Sequence, residues 1–152
     1  MSTVVNELAQ AVADCRANAP LMAALAELYA QVDVEIAAAG AGCLGGGVCC
    51  KFDVAGHRLY VSSGELALLT TQSPPEGRPP RELRCPYQVG PRCAARNVRP
   101  LGCRVYFCAS DGVIIRHGLY EGFHSEVRRL HDICCAPYAY VELTAAIVQV
   151  TP

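Results

Sequence analysis

Cysteines are concentrated in one stretch of this 152-residue sequence, between Arg84 and Cys108. Four of the ten cysteines lie there, at Cys85, Cys93, Cys103 and Cys108, separated by Gly and Pro residues. Thiols this close, with turn-forming residues between them, are more typical of a ligand loop than of a hydrophobic core. We therefore predict a metal centre in this stretch, enclosed by the rest of the chain.

Composition and charge exclude several other classes of protein. The formal net charge is −1, and no basic, aromatic-rich face indicates a nucleic-acid partner. We expect no membrane span, since no apolar run approaches the ~20 residues it needs. The N-terminus lacks a signal-peptide pattern, which favours the cytoplasm. Thiols stay reduced there, so metal or redox roles are favoured over disulfides; a secreted disulfide protein is the alternative if a leader was removed.

Apolar periodicity predicts a mainly helical chain with a few short strands. Helices are predicted over residues 3–17, about 20–39, 64–70, 119–134 and 138–148. Ser62 or Ser63 should cap the third of them, with Glu65 in its first turn. Short strands are predicted over residues 51–54, 57–61 and 112–116, and the first two would form a hairpin.

We expect one domain of the α+β class, mainly helical, in which a short hairpin and long ligand-bearing loops form a small cysteine-rich metal-binding fold. Its parts would be N-terminal helices over 1–39, a cysteine-rich core over 40–108 and C-terminal helices over 109–152. Segments 40–50 and 72–108 should contribute little apolar core of their own. Metal binding would therefore be coupled to their folding.

The positions of the thiols limit the kind of site they can form. Cys15 lies on an apolar helical stripe, where a thiol packs as a small hydrophobic group. The other thiols form three groups: Cys43, Cys49 and Cys50; Cys85, Cys93, Cys103 and Cys108; Cys134 and Cys135.

The absence of C-x-x-C argues against a thioredoxin-like dithiol and ordinary zinc knuckles. Adjacent thiols point apart, so the vicinal pairs suit a polynuclear cluster or two neighbouring sites; the second pair could instead be buried at a helix end.

This arrangement resembles the YkgJ-type cysteine-cluster family, whose members are described as zinc- or iron-chelating domains. The family shows C-x-x-C-x-x-C-C and then a segment ending in C-x-x-Y-x-x-R-P-x-x-C-R. The first motif is matched by Cys43, Cys49 and Cys50, and the second by Cys93, Arg99, Pro100, Cys103 and Arg104. Cys85 resembles a further upstream cysteine of the family. Some members also resemble the cysteine-rich part of flagellin lysine N-methylase, for which an iron–sulfur cluster is implied.

Two positions depart from the family pattern. Gly46 stands where the family has its second cysteine, and Arg96 replaces the usual tyrosine. Cys108, Cys134 or Cys135 would then supply the missing ligand. No methyl-donor pocket is indicated, so the methylase activity is not expected here.

Residue pattern and resemblance together predict the site. The predicted ligands are Cys43, Cys49, Cys50, Cys85, Cys93, Cys103 and Cys108, with Cys134 and Cys135 as additional candidates. Arg99 and Arg104 would offset the negative charge of the thiolates, although Arg99-Pro100 could also be merely a turn. The predicted cofactor is an iron–sulfur cluster of the 4Fe–4S type, and the alternative is Zn²⁺.

Three functions remain open at this stage. The favoured one is a redox, electron-transfer or accessory protein with a protein redox partner. The alternatives are a zinc protein, as a structural or metal-handling module, and a metal-dependent enzyme with an open coordination position; no catalytic residues are indicated. His117, His124 and His131 could complete a mixed Cys/His zinc site, but such histidines are more often partly exposed or bonded to carboxylates such as Glu121 and Asp132. His57 is expected to be structural.

Overall fold

Helices form most of the computed structural model. It describes residues 3–38, 59–75, 85–89, 92–109, 112–115 and 117–150. The helices are α1 (Thr3–Arg16), α2 (Ala19–Ala38), α3 (Ser63–Leu69), α4 (Leu101–Val105), α5 (His117–Ile133) and α6 (Leu143–Val150). The strands are β1 (Tyr60–Ser62), β2 (Gln88–Val89), β3 (Arg92–Cys93), β4 (Tyr106–Ala109), β5 (Gly112–Ile115) and β6 (Tyr140–Glu142). They pair as β1–β6, β2–β3 and β4–β5, all antiparallel. This confirms a mainly helical α+β chain.

The first two helices follow the apolar pattern closely. Leu8, Val12 and Cys15 are buried on α1, which confirms Cys15 as a core residue, and its Sγ donates to the Pro137 carbonyl (3.3 Å). The predicted stripe of α2 is also buried: Leu21, Leu25, Leu28, Val32 and Ile36. Asn18 separates the helices, because its side-chain oxygen accepts the Leu21 N–H (3.1 Å). Within the described residues no helix is long and apolar enough to cross a membrane.

Helix α3 begins with the predicted cap. The Ser62 hydroxyl accepts the Glu65 N–H (3.2 Å), and the Glu65 carboxylate accepts the Ser62 N–H (3.0 Å), so the two residues form a capping box. Directly before it, β1 pairs with β6, so that Val61 lies opposite Val141. Most of the predicted 51–61 hairpin, including His57, lies outside the described residues.

The C-terminal region differs from the prediction at one point. A helix was predicted from Tyr138, but residues Tyr140–Glu142 form β6 and the helix begins at Leu143. Pairing with β1 decides this, since the Leu143 N–H donates to the Leu59 carbonyl at 2.8 Å. The Glu142 carboxylate then accepts the Ala145 N–H at 3.1 Å, so it caps α6.

The cysteine-rich stretch contributes to the core, contrary to expectation. Tyr87, Ala95, Leu101 and Val105 are buried and belong to the main apolar cluster. The Cβ that an alanine would place at Gly102 would lie 3.2 Å from Leu59, so α4 packs closely on the chain before β1. Glycine and proline in the stretch suggested a loop, but the apolar residues between them are spaced to reach the core. The prediction that this segment has little apolar core was wrong.

Candidate metal centre

Cys85 and Cys93 lie at the two ends of a short hairpin. Strand β2 pairs with β3, which places Gln88 opposite Cys93. The Gln88 N–H donates to the Cys85 carbonyl (3.3 Å), and the Ala94 N–H donates to the Tyr87 carbonyl (2.7 Å). Both cysteines are half-buried and pack against the core. The paired strands and the residues just before them therefore carry two of the predicted ligands.

Tyr87 anchors that hairpin to the helical core. Its side chain is completely buried, and its hydroxyl donates to the Gln72 carbonyl (2.7 Å). Gln72 in turn donates through Nε2 to the Ala94 carbonyl (2.6 Å). Burial, followed by the charges of the Cys85 and Cys93 thiols, raises the pKa of Tyr87 to about 12. Both sulfurs thus lie close enough to one phenol to influence its ionisation.

Cys103 lies on α4, beside a buried arginine. Cys103 is half-buried and packs against the core, whereas the Arg104 side chain is only 3% exposed. Burial, followed by the Glu65 carboxylate, raises the pKa of Tyr29 well above its usual range, and the Cys103 thiol adds to the rise. Tyr29 lies against Arg104, the residue that follows Cys103.

The Arg104 guanidinium is occupied by protein groups. Its Nε donates to the Arg99 carbonyl (2.8 Å) and its Nη2 to the Asn97 carbonyl (2.9 Å). Its Nη1 forms an ion pair with Asp33 on α2 at 2.7 Å. The guanidinium carbon also lies 4.3 Å from the centre of the Tyr29 ring, a cation–π distance. Arg104 therefore ties the backbone before α4 to α2; its predicted effect on thiolate charge stays a prediction.

Arg99 differs from Arg104 in the hydrogen bonding of its Nε. Its Nε is buried and has no hydrogen-bond partner within the described residues. A buried guanidinium N–H without an acceptor is costly, so it is suited to an acceptor such as a thiolate or an inorganic sulfide. The Arg99 carbonyl, by contrast, accepts from Arg104. The choice between a brace beside the metal site and a mere turn at Arg99-Pro100 stays a prediction.

The remaining predicted ligands are only partly placed. Cys43, Cys49 and Cys50 lie outside the described residues. Cys108 belongs to β4, where it pairs with Val113 on β5. Within the described part of the chain, no group of three or more His, Cys, Asp or Glu side chains could hold a metal ion. Of the predicted ligands, the structure thus places Cys85 and Cys93 at the hairpin of β2 and β3 and Cys103 on α4.

Cys134 and Cys135 form the end of helix α5. Cys134 is half-buried, and Cys135 is exposed with a positive φ of 54°. The Ala136 N–H donates to the His131 carbonyl (2.9 Å) and the Cys135 N–H to the Asp132 carbonyl (3.2 Å), which is the helix-ending pattern that usually places glycine where Cys135 lies. The expected alternative, burial of the pair at a helix end, is wrong for Cys135.

The side chains of His124 and His131 lie against a hydroxyl and a backbone carbonyl. His131 is 1% exposed and its Nδ1 lies 3.1 Å from the Pro137 carbonyl, so Nδ1 carries the proton. The Nε2 of His124 lies 3.2 Å from the Tyr138 hydroxyl. The expected alternative to metal ligation was partial exposure or bonding to carboxylates such as Glu121 and Asp132. His124 is half-buried, which fits partial exposure, whereas His131 is buried and its Nδ1 is bonded to a carbonyl. Tertiary packing of the chain after α5 supplies their partners.

Three residues beside the cysteines were not singled out by the sequence. Glu65 was predicted only as part of a helix start, and Tyr29 and Asp33 only as helix residues. All three contact the stretch before Cys103 or the arginine after it. The Ser62–Glu65 spacing signalled the local cap, but no local pattern could reveal contacts with residues so distant in sequence.

Comparisons with known proteins returned no match: no family model matches the chain, and no curated protein or solved structure does so. The resemblance to the YkgJ-type family accordingly rests on its motif residues alone.

Proposed function

We propose that this chain is a metal-binding protein whose clustered cysteines hold an iron–sulfur cluster of the 4Fe–4S type. The observation that carries the proposal is the pair of half-buried thiols, Cys85 and Cys93, beside the buried Tyr87. Cysteine thiolates are the ligands that such clusters require. The proposal includes the other predicted ligands, Cys43, Cys49, Cys50, Cys103 and Cys108.

The surroundings of the cysteines support a negatively charged group. Thiolates around iron leave net negative charge, which nearby N–H donors can offset. The buried Nε of Arg99, without a partner within the described residues, is a donor of this kind. Arg104 adds a positive charge beside Cys103, although Asp33 lies against it. The donor set and the charges therefore fit a thiolate-bound cluster.

A cluster of this type supplies one-electron transfer. The protein would act as an electron carrier, redox sensor or accessory to a partner enzyme. Its own residues would hold the thiols, shield them from water with Tyr87 and Tyr29, and adjust their charge through Arg99. A protein redox partner is part of this proposal.

Metal analysis tests the proposal directly. Protein purified without oxygen should be brown and contain iron and acid-labile sulfide. Colourless protein with stoichiometric zinc would establish the zinc alternative instead, and protein that contains neither metal would overturn both.

One substitution tests the ligand set. Cys103→Ser should lower both metal content and thermal stability, since metal binding and folding are linked. Cys15→Ser is the matched control, because Cys15 is buried on α1 and bonded to Pro137; its metal content should equal that of the wild type. Full metal content in Cys103→Ser would remove Cys103 from the site.

A further inference from the structure

Glu65 connects three parts of the chain through one buried carboxylate. The residue is 2% exposed, and its capping bond with Ser62 is local. Its Oε1 also accepts the Leu101 N–H at 2.8 Å and the Tyr29 hydroxyl at 3.3 Å. Leu101 is the first residue of α4, the helix that carries Cys103. A carboxylate on α3 therefore caps α4 from a distance and also contacts α2.

Tyr29 extends this connection to Arg104. Its hydroxyl contacts Glu65, while its ring face lies against the guanidinium. Arg104 in turn holds the carbonyls of Asn97 and Arg99, both between Cys93 and Cys103. Glu65, Tyr29 and Arg104, which are buried, and Asp33, which is exposed, thus form one network, which we call the carboxylate–arginine network. It fixes the backbone on both sides of Pro100.

The network consists entirely of protein groups. A buried charge is tolerated only where hydrogen bonds and opposite charges satisfy it, and the contacts of Glu65 and Arg104 do this. Removing one member would leave other buried polar groups without partners, so the arrangement is strongly specified. Cys103 therefore has a defined position that depends on these contacts.

We propose that Glu65 is a positioning residue for the cysteine site, holding the start of α4 so that Cys103 is placed for metal before metal arrives. This rests on the proposed function, since it assigns Glu65 a role at that site. Groups that orient metal ligands typically change metal affinity by about tenfold to 100-fold when they are removed. Glu65 would act in this way through the backbone, because its carboxylate accepts the N–H of Leu101, the first residue of α4.

Glu65→Gln tests the assignment, with Glu142→Gln as the matched control. Glu142 is also a capping carboxylate, at 2.5 Å from the Thr144 hydroxyl and 3.1 Å from the Ala145 nitrogen. It caps α6, a helix that lies outside the cysteine stretch. Metal-loaded wild type and variants are mixed with excess chelator, bathophenanthroline for iron or EDTA for zinc, at a temperature where circular dichroism shows each to be folded.

The expected result is that Glu65→Gln releases metal about tenfold to 100-fold faster than the wild type. It should also alter the sulfur-to-metal charge-transfer spectrum. Glu142→Gln should lower the melting temperature but release metal within about twofold of the wild-type rate, since Glu65 still holds the start of α4 in this variant. A purely structural role for Glu65 would instead make the two variants alike in release rate and spectrum.

If Glu65→Gln does not fold, Asp33→Asn tests the inference in its place. The Asp33 side chain is 54% exposed, so its loss should leave the fold intact while weakening the hold on Arg104. Release should be about twofold to fivefold faster, within the range expected for one exposed ion pair. The inference would be overturned if Glu65→Gln released metal at the wild-type rate. If Glu65→Gln is unfolded, a wild-type rate in Asp33→Asn would overturn it. Either result would leave the proposed function standing. A wild-type protein that takes up no metal would overturn both.

Discussion

The two halves of the cysteine stretch are held in place by different physics. The first half, with Cys85 and Cys93, is a hairpin fastened by one buried aromatic side chain, Tyr87, and by neutral hydrogen bonds. The second half, with Cys103, is a short helix fastened by buried charges, Glu65 and Arg104. Apolar burial is not directional, whereas buried charges require defined partners. We infer that the second half is the more precisely positioned one.

Removal of the Tyr87 side chain should have the largest effect on the free energy of unfolding. It should disrupt the hairpin that carries Cys85 and Cys93 and leave α4 in place. Tyr87→Ala deletes a completely buried side chain and is expected to cost about 3–5 kcal/mol. Tyr87→Phe keeps the ring but loses the hydroxyl bond to Gln72, at a cost of about 1 kcal/mol. Urea unfolding measures both values.

Alkylation of individual thiols shows whether that damage is local. In metal-free Tyr87→Ala, Cys85 and Cys93 should react faster with iodoacetamide, while Cys103 should react at its wild-type rate because its own supports remain. Mass spectrometry of the labelled peptides gives both rates. Equal acceleration at all three thiols would show that the two halves are not independent.

An intermediate effect is expected at Gly64, which lies on the helix that carries Glu65. A Cβ there would lie 2.7 Å from Nε2 of His131, a buried side chain on α5. Gly64→Ala should therefore destabilise the protein by roughly 1–3 kcal/mol and should accelerate alkylation of Cys103 more than that of Cys85. Thermal unfolding and peptide labelling measure the two effects.

Gly122 provides the control for Gly64. A Cβ at this helical position would meet nothing within 4 Å. Gly122→Ala should stabilise the protein by about 0.4–1 kcal/mol, because alanine restricts the unfolded chain. If Gly64→Ala were as harmless as Gly122→Ala, the close packing of α3 on α5 would be disproved.

The smallest expected effect is a dependence of the free energy of unfolding on pH, caused by His131. This side chain lies against Gly64 on α3, the helix that carries Glu65. Burial lowers the pKa of His131 from its ordinary 6.5, against smaller opposing effects of the Pro137 and Ala136 backbone and of Glu65 and Asp132. The unfolded chain therefore binds the proton more readily. The contribution of neutral His131 is complete above pH 6.5 and is lost as the pH falls from there through the folded-state pKa.

Comparison with a histidine variant isolates this contribution. The free energy of unfolding should fall more for the wild type than for His131→Gln between pH 7 and pH 5, since glutamine does not titrate in that range. Denaturant unfolding at each pH supplies the difference. Parallel curves for the two proteins would mean that His131 does not become protonated on unfolding.

Much of the fold could be predicted because it is encoded locally. The buried stripe of α2 repeats with the helical period, and the Ser62–Glu65 spacing marks the start of α3. The strand at Tyr140–Glu142 was missed, since its residues fit a helix by local pattern and only pairing with β1 makes them extended. Sequence patterns report neighbours along the chain and cannot report a partner strand so far away.

The same division applies to the candidate site. The sequence by itself predicts the kind of chemistry, because closely spaced cysteines with adjacent arginines favour metal ligation whatever their exact placement. Only the tertiary structure decided that Arg104 is engaged by Asp33 and two carbonyls, that Arg99 has a buried N–H without a partner within the described residues, and that Glu65 caps α4. The partner of each charged side chain depends on how the helices pack. Helix packing brings together residues that are far apart in the sequence.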